Sequence, residues 1–302
     1  MFDNIGNTTY KQIFFLGILI MISLLIIGFG GMLIASSFWS TGDILAAKDY
    51  ILDSPARINY MKMVQFLTMF STFFLPPVLL TFLIKDKKFS FLYLNRGING
   101  QQSLMTIVLF IISIPLIVML TDWNASLHLP SFLASTEEWM RDKEVMLTGV
   151  TTAFMTTSTY QGLLINILLM AVLPAFGEEF IFRGLLMKWF SKGMNIHMAI
   201  IVSSFIFSAI HIQFLGFFPR FFMGMMLGYV FYWSGSLWAS ILLHFLNNAI
   251  TVISYFLLSR GVIQNDPASM GGIDNIPILL INILMFGGVV YWFYRNRTSF
   301  QL

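Results

Sequence analysis

The chain has 302 residues, of which 57% are hydrophobic and only 10% charged, where an ordinary soluble domain carries about 25% charged residues. That balance excludes a soluble globular protein. The isoelectric point near 9.1 and net charge of +3 do not point to nucleic acid, because loops held on the cytoplasmic side of a membrane account for a basic excess. With no cysteine in the sequence, disulfides, iron–sulfur clusters and cysteine-held zinc are excluded, and any metal would rest on His, Glu, Asp or Asn.

A bilayer core is crossed by about 20 apolar residues in a helix. The chain offers eight such runs, at about 13–36, 61–84, 103–120, 161–190, 196–216, 219–235, 236–258 and 277–294. The expected fold is therefore an all-α, polytopic membrane protein with about eight transmembrane helices. It forms a single integral membrane domain over residues 1–302, with a motif-bearing core at about 160–258. The first run exceeds the roughly 7–15 residues of a signal-peptide core and is expected to stay as an anchor. The fourth is longer than a span needs and is interrupted by Pro174 and Gly177.

Loop charge sets the expected orientation. Lys85, Lys87, Lys88 and Arg96 outweigh Asp86 in the 85–102 loop, and Lys188, Lys192, Arg295 and Arg297 add to the same side. The 121–160 segment carries Asp122, Glu137, Glu138, Asp142 and Glu144 against Arg141 and Lys143. The positive-inside rule then places both termini in the cytoplasm of a multi-pass plasma (inner) membrane protein. Within 121–160, Ser135-Thr-Glu-Glu138 has the form of a capping box, and Glu137 with Arg141 is a favourable i,i+4 pair. The segment reads as a short helix on the outer interface or, more plainly, as a solvated connector.

Of the 17 basic and 14 acidic side chains, only Glu178, Glu179 and Arg183 are expected in a membrane interior. A carboxylate there costs roughly a few kcal/mol or more, which marks the cluster as a functional-site candidate. Adjacent helical residues point about 100° apart while residues four apart share a face. Glu179 and Arg183 can thus pair, and Glu178 is left over. Two further i,i+4 patterns follow, Phe207-Ser-Ala-Ile-His211 and His244-Phe-Leu-Asn-Asn248. Counted from the span ends, Glu178, His211, His244 and Asn248 fall at one depth, roughly 12 to 22 Å from the cytoplasmic face. Singly, a membrane His or Asn is readily explained as a hydrogen bond between helices; together with a double glutamate they favour function. His197, at a helix start, reads as solvated or capping. Gly224 and Gly228 have the spacing that lets helices approach closely.

These three motifs, Glu178-Glu179-Phe-Ile-Phe-Arg183, Phe207-Ser-Ala-Ile-His211 and His244-Phe-Leu-Asn-Asn248, closely resemble those of the type II CAAX prenyl endopeptidases and the bacterial CPBP (Abi) intramembrane proteases. The resemblance implies hydrolysis of a peptide bond in a membrane-associated peptide or protein, of the prenylated CAAX type or the bacteriocin type. By the same resemblance Glu178 activates water with His211, His244 and Asn248 stabilise the oxyanion, and Glu179 with Arg183 holds the geometry. The physical chemistry agrees, since desolvation disfavours the charged form of an unpaired carboxylate in an apolar pocket, as suits a general base. Two cofactor readings stay open. Glu178, His211 and His244 would make a three-ligand zinc (Zn2+) set with one open position; a metal-free glutamate mechanism is the other, and the lack of a His-Glu-x-x-His pattern favours it. The expected site is open to the cytoplasmic side. A proton-coupled transporter using the same residues as a relay and an inactive membrane scaffold are the rival readings, although no paired broken helices related by a repeat are seen.

Overall fold

The structure, a computed structural model, describes residues 9–84, 88–264 and 276–298. Lys85, Asp86 and Lys87, counted above in the basic loop, lie outside the described residues.

In chain order the helices are α1 (Thr9–Phe38), α2 (Thr41–Lys48), α3 (Pro55–Leu83), α4 (Gly100–Ala125), α5 (Ala134–Met155), α6 (Tyr160–Phe190), α7 (Ile196–Ala209), α8 (Phe214–Ser234), α9 (Leu237–Ser259) and α10 (Ile276–Arg295). No strand occurs among the described residues. Most starts carry their own stop for the orphan amide groups of a first turn. Ser54, Thr159, Asn195 and Ser236 each accept from a backbone N–H of the helix they precede. Asn99 and Gln102 close a reciprocal capping box on α4. Gly235, at φ +67°, ends α8 in the left-handed conformation that glycine adopts freely.

Among the described residues seven helices are long and apolar enough to cross a membrane, all except α2, α5 and α7. The expected fifth span, 196–216, is only partly helical. α7 has 14 residues, a rise of about 21 Å where a core needs about 30 Å. Hydropathy could not see its end, because the reversal is built from Ile210, Ile212, Phe214 and Leu215. Ile212 has φ +54°, costly for a β-branched residue, and turns the chain directly after His211.

The expected interruption of the fourth span is also absent. α6 is continuous, and Pro174 is absorbed by a π-helical stretch, Leu168–Val172, just before it. The wider turn relieves the lost amide and the ring clash that proline brings. α3 uses the same device, with π-helical Phe70–Phe74 ahead of Pro76 and Pro77. The two adapted segments cross at Gly177, where an added Cβ would stand 3.0 Å from Phe73 Cβ and 3.2 Å from its carbonyl carbon. Gly177 marks a close crossing, and the helix passes through it unbroken.

α6 lies at the centre, against α3, α7 and α9. Leu80, Ala175, Phe180, Leu185, Ile200, Phe231 and Leu237 form the buried apolar body around it. Trp189 Nε1–H donates to Gln12 Oε1 at 2.8 Å, tying α1 to the end of α6. α4, α8 and α10 pack on the other flank through Leu109, Met226, Val230 and Phe293. α7 and α8 meet most closely at the expected glycines. A Cβ on Gly224 would fall 2.9 Å from Ser204 Cβ and 3.2 Å from its Cα; one on Gly228 would fall 2.9 Å from Ile200 Cγ2. Overpacking costs about 1–3 kcal/mol. Gly224→Ala is expected to lose stability in that range in a detergent unfolding titration. Gly228→Ala should lose less, since the Ile200 side chain can give where a backbone cannot.

α5 is longer than the short interfacial helix expected. Its first residue follows Leu133, and no side chain caps it, so Ser135-Thr-Glu-Glu138 does not act as a capping box. Glu137 turns back instead, accepting from Leu129 N–H at 2.8 Å and from Arg141 Nε at 2.8 Å, with His128 Nδ1 at 2.8 Å. The expected pair with Arg141 is present. The Leu129 amide first, then the Arg141 guanidinium and His128, hold the Glu137 carboxyl down at about 2, below its ordinary 4.5. A carboxylate lowered on folding stabilises the contact above the unfolded value and loses it as the group protonates. The protection of amides 127–141 relative to their intrinsic exchange rates is therefore expected to hold above pH 4.5 and to fall as pH drops from there toward 2. Glu137→Gln should remove that dependence.

Candidate active site

Glu178 and Glu179 leave α6 in different directions, as one hundred degrees per residue requires. Glu179 is fully buried, and Arg183, 1% exposed, donates from Nη1 to its Oε1 at 2.8 Å. The second arm of Arg183 donates to Gly224 O at 2.9 Å, using the carbonyl that the close α7–α8 approach leaves within reach. Glu179 takes two further donors from α9. Ser240 Oγ–H reaches Oε2 at 2.5 Å and His244 Nδ1 lies 2.8 Å from Oε1. The buried charge pair is thus fully hydrogen-bonded, the condition under which such a pair is tolerated.

Glu178 has a different environment. It sits at the floor of a cavity of about 570 Å³, with His211, His244, Asn247 and Asn248 among the lining residues. Its Oε2 lies 3.7 Å from His244 Nε2, beyond a direct hydrogen bond and at a separation one small polar atom can bridge. The ring of Phe207 stands behind the floor. Arg183 lies over it at 4.8 Å, and the rings of His211 and His244 meet it edge-on at 5.2 and 5.9 Å. The motif phenylalanine thus fixes two histidines and one guanidinium at once.

The free ring atoms follow from the bound ones. His211 Nδ1 faces Phe207 O at 2.8 Å, and a carbonyl only accepts, so Nδ1 carries hydrogen and a neutral ring has its lone pair on Nε2. His244 Nδ1 faces a carboxylate in the same way, which leaves Nε2 toward the cavity. Asn247 Nδ2 donates to Asn248 Oδ1 at 3.1 Å, so the Asn248 amide has its own Nδ2 donors to offer.

Glu178, His211, His244 and Asn248 are therefore brought to one cavity, with Glu179 and Arg183 packed behind them. His211 lies in the turn that follows α7, not within a span. His197 is an outlying residue, its Nδ1 3.0 Å from Tyr229 Oη. Four contributors were not singled out in the sequence. Ser240 and Asn247 flank His244, Ser240 one turn before it on the same face, a spacing that could have flagged it. Glu144 and Arg220 line the cavity wall, although neither was expected in the membrane region. Arg220 donates to Gln213 O and Oε1 at 2.8 and 2.9 Å, and Glu144 accepts from Leu215 N–H at 3.2 Å. Together they pin α5 to the 213–216 turn.

The mouth is marked by the exposed lining residues Thr121, Ala125 and Thr148. α4 ends there and α5 lies across it. Lys188, Lys192 and Arg295 lie at the opposite end of the bundle. An opening toward the cytoplasm and cytoplasmic termini, both expected above, are therefore incompatible, since the cavity opens at the end away from the basic loops.

A catalytic zinc takes three protein ligands. Among the described residues no three His, Cys, Asp or Glu side chains are grouped to hold a metal ion. Glu178 and His244 approach one another, but His211 does not complete the set, so the residues do not fit the three-ligand arrangement as they stand.

A comparison with known protein families matches residues 160–250 to the family described as type II CAAX prenyl endopeptidase Rce1-like. No curated protein and no solved structure matches the chain. The matched segment carries all three motifs and the residues gathered around Glu178, and over it the chain is similar to the type II CAAX prenyl endopeptidase Rce1-like family.

Proposed function

We propose that the protein is an intramembrane endopeptidase of glutamate type, in which Glu178 takes a proton from a water molecule that attacks a peptide carbonyl. The observation that carries this reading is the placement of Glu178 at the floor of a cavity, 3.7 Å from His244 Nε2 and sharing that cavity with His211 and Asn248. His211 Nε2, with its lone pair free, accepts the second hydrogen of the water and orients it. As attack proceeds, charge builds on the carbonyl oxygen. His244, as imidazolium, donates from Nε2 and Asn248 from Nδ2, and fixed donors of this kind stabilise charge most in a site that excludes bulk water. Protonated His244 brings Glu178, Glu179, Arg183 and itself to neutrality as a group, which limits the cost of burying them. The proton held by Glu178 then passes to the leaving nitrogen, and the peptide bond breaks.

The substrate in this reading is a membrane-associated peptide or protein segment. A transporter relay has less support. Beyond Glu178 the interior is filled by the Glu179, Arg183 and Ser240 network and by Leu185, Leu237 and Ile241, which leaves no second polar route among the described residues. The test is cleavage of a panel of membrane-associated peptides, prenylated and unprenylated, by purified protein, read by mass spectrometry before and after chelator treatment. Cleavage that survives removal of metal is expected. No cleavage of any peptide by folded protein would sink the peptidase reading, and activity lost with the metal and restored by zinc would sink the glutamate mechanism.

A further inference from the structure

Charge is divided unequally between the two ends of the bundle. At one end lie Lys11, Arg96, Lys188, Lys192, Arg295 and Arg297, and no acidic residue is described there. At the other end Asp43, Asp49, Asp53, Asp122, Glu137, Glu138 and Asp142 stand with Lys48, Arg57, Lys62, Arg141, Lys143 and Arg260, on the α1–α3 connection and the first turns of α3, the last turn of α4, α5 and the end of α9, so that this end carries no net positive charge. All these segments are short and close to helix ends, where the excess of Lys and Arg decides which side stays in the cytoplasm; with Lys85, Lys87 and Lys88 of the 85–102 loop counted from the sequence, the first end has nine and the second six. The basic end is thus the cytoplasmic one.

The cavity belongs to the other end. Its lining comes from the last turns of α4, from α5, from α6 ahead of Glu178, from the 213–216 turn with the first turns of α8, and from the middle of α9. Burial rises inward, from exposed Thr121 and Thr148 at the mouth to Glu178 and His244, 8% and 4% exposed, at the floor. The entrance carries two charged groups. Glu144 and Arg220 stand in its wall, each hydrogen-bonded to the 213–216 turn, and such groups are tolerated at membrane depth where they line a water-filled cavity.

We infer that the site opens to the outer face of the membrane and takes peptide segments presented there, the extracytoplasmic, membrane-proximal part of a membrane-anchored peptide. A tail prenylated in the cytoplasm lies on the wrong side to enter. The substrate half of this inference rests on the peptidase reading; the direction of the opening does not. The chain has no cysteine, so single cysteines report accessibility without background. Thr121→Cys and Thr148→Cys at the mouth, and Met194→Cys at the basic end, would be treated with a membrane-impermeant maleimide in intact cells and after permeabilisation. The first two are expected to label in intact cells and Met194→Cys only after permeabilisation. The reverse pattern, or labelling of both ends in intact cells, overturns the inference. The labelling needs no activity, so a peptide panel that fails to be cut removes the peptidase reading and leaves the orientation result standing. With orientation established, peptides added outside sealed right-side-out vesicles should be cut, and peptides enclosed within them should not. The opposite preference overturns the substrate half.

Discussion

Glu178→Gln is expected to reduce peptide cleavage by about 10²–10⁴-fold, the range that positioned general acid–base catalysis contributes, while the protein stays folded. The amide has the shape of the carboxylate it replaces, so the 8% exposed floor of the cavity keeps its packing. What it lacks is basicity, and no other carboxylate can substitute. Glu179 faces away and is occupied by Arg183, Ser240 and His244, and Glu144 lies at the cavity wall, bonded to Leu215 N–H. The effect should fall on kcat, because the group acts in the transition state and not in holding substrate. His211→Gln should cost less, since it removes orientation of the water but leaves the base. Initial rates of a cleaved peptide, with unfolding curves for each variant, check this. An unimpaired Glu178→Gln enzyme would remove Glu178 from catalysis, and unimpaired biological activity without cleavage would favour the scaffold reading.

Much of this site was legible in the sequence because helical spacing is rigid. Glu179 and Arg183 had to share a face and Glu178 had to leave it, whatever the surroundings. The spacing of His244 and Asn248 fixed their common side for the same reason. Arg183 itself lies in a π-helical stretch, Phe180–Met187, whose wider turn still leaves residues four apart on nearly one face. Legibility failed where a departure from the straight α-helix changed the path of the chain or the partner of a side chain. Pro174 suggested a break, but a π-helical turn can absorb a proline, and nothing in a hydropathy profile distinguishes the two. The run from Ile210 to Leu215 is apolar enough to continue a span, yet it reverses the chain and puts His211 in a turn. Glu137 had the register of a capping box, but the Leu129 amide and Arg141 offered more hydrogen bonds than the start of α5. Ser240 and Arg220 were missed for different reasons. A serine in a membrane helix usually satisfies itself on its own backbone, and an arginine near a helix end usually reaches water. Only the tertiary arrangement shows that one completes the Glu179 shell and the other faces the cavity.

The second large effect concerns stability. Arg183→Met is expected to destabilise the protein by about 3–5 kcal/mol, the cost of leaving one member of a buried ion pair without its partner. Arg183 spans two elements, Glu179 on its own helix and Gly224 O on α8, and its guanidinium covers the ring of Phe207. Its loss strands a fully buried carboxylate and frees the carbonyl that helps lock α8 to α6. Arg183→Lys keeps the charge but has no fork to reach both acceptors, so it should recover only part of the loss. The discriminating measurement is a double-mutant cycle with Glu179→Gln. If the pair is tolerated only because each charge answers the other, the double variant should be more stable than the sum of the single losses predicts. Activity should not return with stability in the double variant, because His244 Nδ1 would then face an uncharged amide and its imidazolium form would lose the carboxylate that sustains it. Simple additivity would mean that Glu179 and Arg183 stabilise the bundle separately, and activity restored with stability would show that Glu179 acts on the fold alone and not through His244.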